Sequence, residues 1–327
     1  MSFTIDLKEK TNAIARILVI GVGDAGCNVV NRMIDDNVQG VEYVGINTNV
    51  MNLANCKAPK TIAIGERVTN GVGAGGDPSV GEKAANENIE TIEEFLKNAD
   101  MVFISAGMGG GTGTGAAPVV ADVAKKLGIL TVGLVSKPFS FEGNIRKKKA
   151  DEGIKRMKQS VDSIIILNND SIFKVAEEDI DAKEAVRKTD EILKKSLAGI
   201  TEIINRPADL NLDFADLKRV LTNKGEIYIG TGSASGDNKG MEACNKAMNN
   251  PLIETSIQKA SNIIYFISGK IKTKDFQGVG KKLSEKYGNQ ANMYFGFDNP
   301  ENCDDTCNLI VIVTGTKDEP KYMVRTK

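Results

Sequence analysis

Five short runs in the first half of the chain, residues 16–20 (RILVI), 41–46 (VEYVGI), 101–105 (MVFIS), 129–135 (ILTVGLV) and 163–167 (SIIIL), are rich in β-branched residues and almost continuously apolar. A strand with one wet face alternates apolar and polar residues; a strand apolar throughout is covered on both faces. Between these runs the spacing turns helical, as at Ala85, Ile89, Ile92 and Leu96, three or four residues apart. Strand and helix in alternation predict a parallel sheet with helices on both sides. Residues 61–64 form a weaker strand candidate.

A long helix is predicted over residues 182–205, with Val186, Leu193, Leu197, Ile200 and Ile204 on one stripe, Glu184 and Lys188 paired at i, i+4, and Arg206-Pro207 as its stop. The last third changes character. Residues 226–231, 263–268, 292–297 and 309–314 read as strands separated by helices, predicting a smaller α+β domain with a four-stranded sheet. A length of 327 residues fits two such domains.

The chemistry is bounded by what is missing. The chain contains no histidine, which excludes a Ser-His-Asp triad, a histidine general base and any His-ligated zinc. Carboxylates, amides, hydroxyls, backbone N–H groups or a hard cation must do whatever is done. The formal charge is −1, so nothing favours nucleic acid or an anionic membrane as an obligate partner, and the basic run 146–149, followed by Asp151-Glu152, reads as a solvated helix face. An odd count of five cysteines, with no signal peptide and no long apolar run, points to a reducing cytoplasm without membrane insertion. Cys303 and Cys307 read as incidental thiols of a polar loop, since no other ligand pair completes a metal site.

Two glycine-rich segments follow predicted strands and open predicted helices. Gly21-Val22-Gly23-Asp24-Ala25-Gly26 follows RILVI, where glycine lets backbone N–H groups approach an anion and the next helix adds its positive end. This pattern is also the dinucleotide fingerprint, and equally a tight turn without a ligand. A nicotinamide site would place an acid at the end of the second strand, where Asn47-Thr48-Asn49 stands instead. The second segment, Gly109-Gly110-Gly111-Thr112-Gly113-Thr114-Gly115, is more specific: it forms a bed of backbone donors, with two threonine hydroxyls available to phosphate oxygens. No lysine follows in Walker A spacing, so backbone rather than a lysine clamp holds any phosphate. A third stretch, residues 71–78 (GVGAGGDP), precedes a helix predicted over 82–99 and either connects flexibly or joins the other loops around one polyanion.

At GGGTGTG the chain resembles the tubulin/FtsZ superfamily, and AGMGGGTGTGAAPVVADVAKKLGILTVGLV, KPFSFEG, GVGAGGDP, NLDFADLKRVLTNKG and NPLIETSI narrow the likeness to its FtsZ branch. The resemblance spans about residues 16–315 and implies a cytoplasmic GTPase using GTP/GDP and Mg²⁺, polymerising head to tail with copies of itself, in cell division. It implies an extension over 1–15, a nucleotide-binding domain over 16–181, a central helix over 182–205, a C-terminal domain over 206–316 and a tail over 317–327. Residue by residue, it implies that Gly23, Asp24, Ala25, Gly26, Cys27 and Asn28, with Gly109 through Gly115, cradle the phosphates, with Asn47 close by. Ala74, Gly75 and Gly76 fall near the γ-phosphate, Glu142 and Arg146 at ribose- and phosphate-side positions, and Asn169, Val186 and Asp190 at the guanine. Asn211, Asp213 and Asp216 match a loop that acts in trans: stacked subunits bring its aspartates over the neighbour's γ-phosphate to orient a water. From spacing alone, Asp213 and Asp216 serve equally as N-cap and first-turn acid of the next helix.

The chain departs from the family pattern at Asp24, a carboxylate among phosphate ligands; at Val186, where a phenylalanine commonly stacks on the base; and at Asn49 and Ala208. It ends at Lys327, without the family's linker and adaptor-binding peptide, which implies either a shortened sequence or a paralogue that does not use the usual division adaptors. Two alternatives stand beside the polymerising GTPase: a slow or inactive paralogue forming a static scaffold, and a nicotinamide-dependent oxidoreductase.

Overall fold

The computed structural model describes residues 15–174, 181–205, 208–250, 253–255, 257–300 and 303–315. Most of the expected extension, the Arg206-Pro207 stop, part of the NPLIETSI stretch and the tail lie outside the described residues.

The first half runs β1 (Ile17–Val22), α1 (Gly23–Asp35), β2 (Glu42–Asn47), α2 (Val50–Leu53), β3 (Lys60–Ala63), α3 (Glu66–Thr69), α4 (Pro78–Glu87), α5 (Ile89–Leu96), β4 (Met101–Gly107), α6 (Thr112–Lys126), β5 (Leu130–Lys137), α7 (Asn144–Ser160) and β6 (Ser163–Asn168). The long helix α8 (Ala182–Asn205) leads to α9 (Phe214–Leu221), β7 (Gly225–Ser235), α10 (Lys239–Met248), β8 (Ile253–Glu254), β9 (Ala260–Gly269), α11 (Thr273–Tyr287), β10 (Asn292–Asp298) and β11 (Thr306–Gly315).

The strand order is β10-β9-β11-β7-β6-β5-β4-β1-β2-β3, with β8 pairing β6 off this path. From β3 to β6 every pairing is parallel. The expected four-stranded sheet, β7-β11-β9-β10, is mixed: β11 runs antiparallel to both neighbours. It joins the parallel sheet edge to edge through the short register Ser163↔Gly225 and Ile164↔Glu226.

Burial on both faces explains the apolar runs. Along β1, Ile17 and Val19 pack on one side with Val29 and Met33 of α1 and Leu193 and Leu197 of α8. Leu18, Ile20 and Val22 pack on the other with Ala84 of α4, Val120 of α6 and Met157 of α7. The chain leaves β1 toward β2 and β3, then returns to the opposite side at β4. This reversal opens a crevice beyond the carboxyl ends of β1 and β4, where doubly wound sheets bind ligands.

Several local expectations are corrected. The helix predicted over 82–99 starts at Pro78 and breaks at Asn88, whose side-chain carbonyl accepts the Gly65 N–H at 2.8 Å; an asparagine that bonds a backbone group elsewhere competes with the helix. The helix after the second glycine loop begins already at Thr112. On α8, Glu184 takes the guanidinium of Arg187 in a two-pronged pair with both distances 2.6 Å, rather than Lys188, because the fork matches a carboxylate. Val186 leaves the apolar stripe, which runs through Ala185, Leu193, Leu197, Ile200 and Ile203. Cys307 is buried in β11 and not in a loop. Among the described residues, no group of His, Cys, Asp and Glu could hold a metal by itself, and no helix is long and apolar enough to cross a membrane.

Candidate functional site

A cleft of about 1060 Å³ opens over the carboxyl ends of the parallel strands, and all three glycine segments line it. The first turn is shaped by contact as much as by ligand geometry. A Cβ on Gly26 would stand 2.2 Å from the Ser105 carbonyl oxygen, so α1 presses on β4 there. Gly23 takes φ +72° and faces the Gly113 N–H, bringing the first two loops together. Asp24 and Ala25 line the cleft; Gly26 and Cys27 are buried beneath it, and Asn28 is exposed outside its lining. The Cys27 thiol reaches the Gly21 carbonyl at 3.6 Å, and its hydrogen bond with the free Cys56 thiol, together with burial, raises its pKa far above the ordinary thiol value.

In the second loop, both threonine hydroxyls are engaged within the protein. Thr114 Oγ1 accepts the Gly109 N–H at 2.8 Å and is buried, while Thr112 Oγ1 lies 2.6 Å from Thr48 Oγ1. Gly115 faces away from the cleft: a Cβ there would lie 2.0 Å from the Pro78 carbonyl, so this glycine seats α4 on α6. The residues presented to a ligand are Gly109, Gly110, Gly111, Thr112 and Gly113 at the start of α6, where unpaired N–H groups and the helix dipole favour an anion. Gly110 stands in open space, so an oxygen can reach its backbone.

The third loop folds against the second: a Cβ on Gly111 would meet Ala74 Cβ at 2.7 Å. Gly75 and Gly76 have positive φ and nothing within 4 Å of a Cβ position. Asp77 caps α4 through Ser79 N–H at 2.8 Å, and Lys149 of α7 donates to the Gly76 carbonyl at 2.7 Å.

Four charged side chains line the cleft, Asp24, Glu142, Arg146 and Lys149, two of each sign. Asp24 Oδ1 accepts the side-chain amides of Asn47 and Asn52, at 2.8 and 2.9 Å. Glu142 accepts the Phe139 N–H at 2.9 Å and pairs with Arg146 at 3.0 Å. The formal charges of these side chains cancel, so the anion preference of the cleft rests on its backbone donors and the helix terminus.

At the opposite end, beyond β6, Asn169 Oδ1 is buried in the lining with no hydrogen-bond partner. A buried acceptor left without a donor calls for an explanation, and a ligand donor at this wall of the cleft would supply one. Val186 is 42% exposed and also lines the cleft. Asp190, one turn along α8, does not line it: its carboxylate is buried against Arg32, Nε to Oδ2 3.0 Å, and burial raises its pKa to about 6. Phe139 and Phe141 stack with centroids 5.0 Å apart, and both line the cleft. These two rings, Asn52 and Lys149 were missed in the sequence; Lys149 was legible as the residue three beyond Arg146 on the same helix face.

Asn211, Asp213 and Asp216 do not line the cleft. Asp213 holds the N-cap position of α9 but makes no side-chain cap bond, and among the described residues neither aspartate carboxylate has a partner. The far end of α9 is tied to the start of β6, where the Asp162 carbonyl accepts Lys224 N–H at 2.8 Å and Gly225 N–H at 3.0 Å. That is the sheet edge opposite the glycine loops. The Asn211 segment is held by mutual backbone bonds between Leu210 and Phe297, both 3.1 Å.

Fold and cleft define a doubly wound protein whose glycine loops gather an anion site at the topological switch point. Residues 16–177 match the GTPase domain of the Tubulin/FtsZ family and residues 225–317 the C-terminal domain of the FtsZ family. Over 94% of this chain and 90% of that one, an empty FtsZ dimer from M. jannaschii is 37% identical with a TM-score of 0.86. A point mutant of FtsZ from the same organism is 36% identical over 95% of this chain and 94% of that one, TM-score 0.87. CetZ2 from Haloferax volcanii, a protofilament bound to GTPγS, shares the fold at 20% identity over 93% and 94% of the two chains, TM-score 0.79. The chain belongs to the tubulin/FtsZ family of GTPases, close to FtsZ. The open glycine backbone and the orphaned Asn169 oxygen fit the guanine nucleotide that this family's GTPase domain binds. The nicotinamide reading falls away, since β2 ends in Asn47, an amide already committed to Asp24.

Proposed function

We propose that this protein is a polymerising GTPase that assembles head to tail and hydrolyses GTP at the contact between subunits, with Asp213 and Asp216 supplied in trans. The observation that carries this reading is their placement: two carboxylates that have no partner among the described residues stand outside the cleft, on a segment that does not line it. A second copy stacked on the cleft supplies the carboxylates a water-orienting site needs. Phosphoryl transfer depends mainly on position and electrostatics, so the lack of histidine is no obstacle.

Asn211 and the two aspartates orient the attacking water. The N–H groups of Gly110, Gly111, Thr112 and Gly113 hold the phosphates, Arg146 reaches them from α7, and Asn169 engages the base. Mg²⁺ supplies charge neutralisation at the phosphates, with Asp24 the lining carboxylate placed to meet it. A contact between unlike ends extends into a filament when its rotation does not close. That FtsZ from M. jannaschii, 37% identical to this chain, forms a dimer supports self-association. We place the filament in the cytoplasm and in cell division, on the FtsZ likeness of both matched segments.

Turnover per subunit against protein concentration, with Mg²⁺ and alongside pelleting, tests the proposal for the unmodified protein and Asp213→Ala. The expected result is turnover that appears with pelletable polymer and is lost in a variant that still assembles. Turnover independent of concentration overturns the trans arrangement. Polymer without turnover in the unmodified protein favours a static scaffold, the reading to which Asp24 among the phosphate ligands lends weight.

A further inference from the structure

We propose that Lys149 is a ligand for the terminal phosphate of a nucleoside triphosphate and gives the cleft its preference for triphosphate over diphosphate, an inference that rests on the guanine-nucleotide reading above. The second glycine loop lacks a following lysine, but the fold brings one from another helix. Lys149 is half-buried on α7, three residues after Arg146, and both line the cleft. Arg146 is engaged by Glu142. Among the described residues, the Lys149 ammonium has a single hydrogen-bond partner, the Gly76 carbonyl at 2.7 Å. It also lies close enough to Asp77 to help the Ser79 N–H hold that carboxyl below its ordinary range. An ammonium has three N–H donors, so two remain for a phosphate oxygen while the third holds the loop.

The topology says which phosphate. Asn169 follows β6, and the loop carrying Gly76 leads from β3 and α3 into α4. In the sheet, β6 and β3 lie on opposite sides of the β4/β1 crevice. A nucleotide with its base at Asn169 and its inner phosphates at the start of α6 therefore sends its last phosphate toward the third loop. That loop presents the open backbone of Gly75 and Gly76, with the Lys149 ammonium beside it. A diphosphate in the same cradle stops short of this cation. The terminal phosphate is thus read twice, by backbone donors and by an ammonium that also holds the Gly76 carbonyl.

Calorimetric affinities for GDP and for a non-hydrolysable GTP analogue, in excess Mg²⁺, test the assignment with the unmodified protein, Lys149→Gln and Lys149→Arg. A hydrogen bond to a charged group is worth enough that Lys149→Gln is expected to weaken the triphosphate analogue about tenfold or more. GDP affinity is expected to stay within about twofold, which also reports an intact fold, and Lys149→Arg is expected to recover most of the loss. Equal losses for both nucleotides, or no loss for the triphosphate, overturn the assignment. An unmodified protein that binds neither nucleotide overturns the guanine-nucleotide reading itself, a result distinct from either.

Discussion

The carboxylate of Asp24 accepts the side-chain amide of Asn47 at 2.8 Å, at the point where the first glycine loop meets the end of β2. The Asn52 amide reaches the same oxygen at 2.9 Å, so the group is held in the cleft lining. A fixed negative charge beside phosphates repels them unless a cation lies between. Asp24→Asn keeps an acceptor for the amides and removes the charge. In chelator, the variant is expected to bind GDP about fivefold more tightly than the unmodified protein, with the gap shrinking in high salt. With excess Mg²⁺ the two affinities converge if Asp24 serves the cation. Titrating fluorescent GDP at several Mg²⁺ concentrations checks this, and a gap unchanged by Mg²⁺ separates Asp24 from any cation.

Gly115 has a role unlike that of its neighbours in the GGGTGTG loop. A Cβ there would stand 2.0 Å from the Pro78 carbonyl oxygen and 2.6 Å from the Glu82 N–H, both backbone atoms that cannot rotate aside. Gly115→Ala is expected to push α4 off α6 and destabilise the fold by about 1–3 kcal/mol, as overpacking does. Gly110→Ala meets nothing within 4 Å and is expected to leave stability unchanged while weakening nucleotide binding. Thermal melts of the two variants, read beside their GDP affinities, separate packing from binding.

The architecture was legible because its cause is simple: strands buried on both faces must be apolar throughout, and RILVI or SIIIL can hardly be anything else. The ten strands expected from such runs all formed, within a few residues of their expected ends. The site was legible in its loops and less so in its side chains. Composition shows a threonine in a phosphate-type loop but not that Thr114 turns inward to accept the Gly109 N–H. Spacing put Val186 on the apolar stripe of α8, whereas the stripe passes through Ala185 and leaves Val186 in the cleft. The run from Arg146 to Lys149 looked like a solvated face because charge runs usually are. That two of its members converge on the glycine loops depends on how α7 packs across α6, a long-range fact no local window contains.

Asp190 carries a pH signature. Its carboxyl is buried and its pKa is raised to about 6, against 3.8 for the free group, with Arg32 opposing the shift. Between these values the folded protein binds the proton that the unfolded chain has released. The contribution of Asp190 to stability is therefore most favourable at the acid end and diminishes as pH rises through about 6. A shift of this size corresponds to a change on the order of 2–3 kcal/mol. Asp190→Asn is expected to flatten that part of the stability–pH curve between pH 4 and 7. Denaturant melts across that range check it, and an unaltered slope in the variant assigns the titration to another group.

Leu210 is 39% exposed and immediately precedes Asn211 and the two unpartnered aspartates. Its backbone is fixed by the bonds to Phe297, so its side chain is presented rather than loose. In the cleft lining, Val72, Phe141 and Ile145 are 77%, 70% and 75% exposed. Exposed apolar side chains in the cleft lining and one beside the aspartates are what a head-to-tail contact covers, and a surface that seats Asp213 over a neighbour's cleft must also cover Leu210. Leu210→Glu buries a charge in that contact while leaving the backbone bonds and the cleft untouched. The concentration at which polymer first pellets is expected to rise about tenfold or more, with GDP affinity unchanged. A threshold that does not move places the contact elsewhere and removes the ground for catalysis by Asp213 in trans.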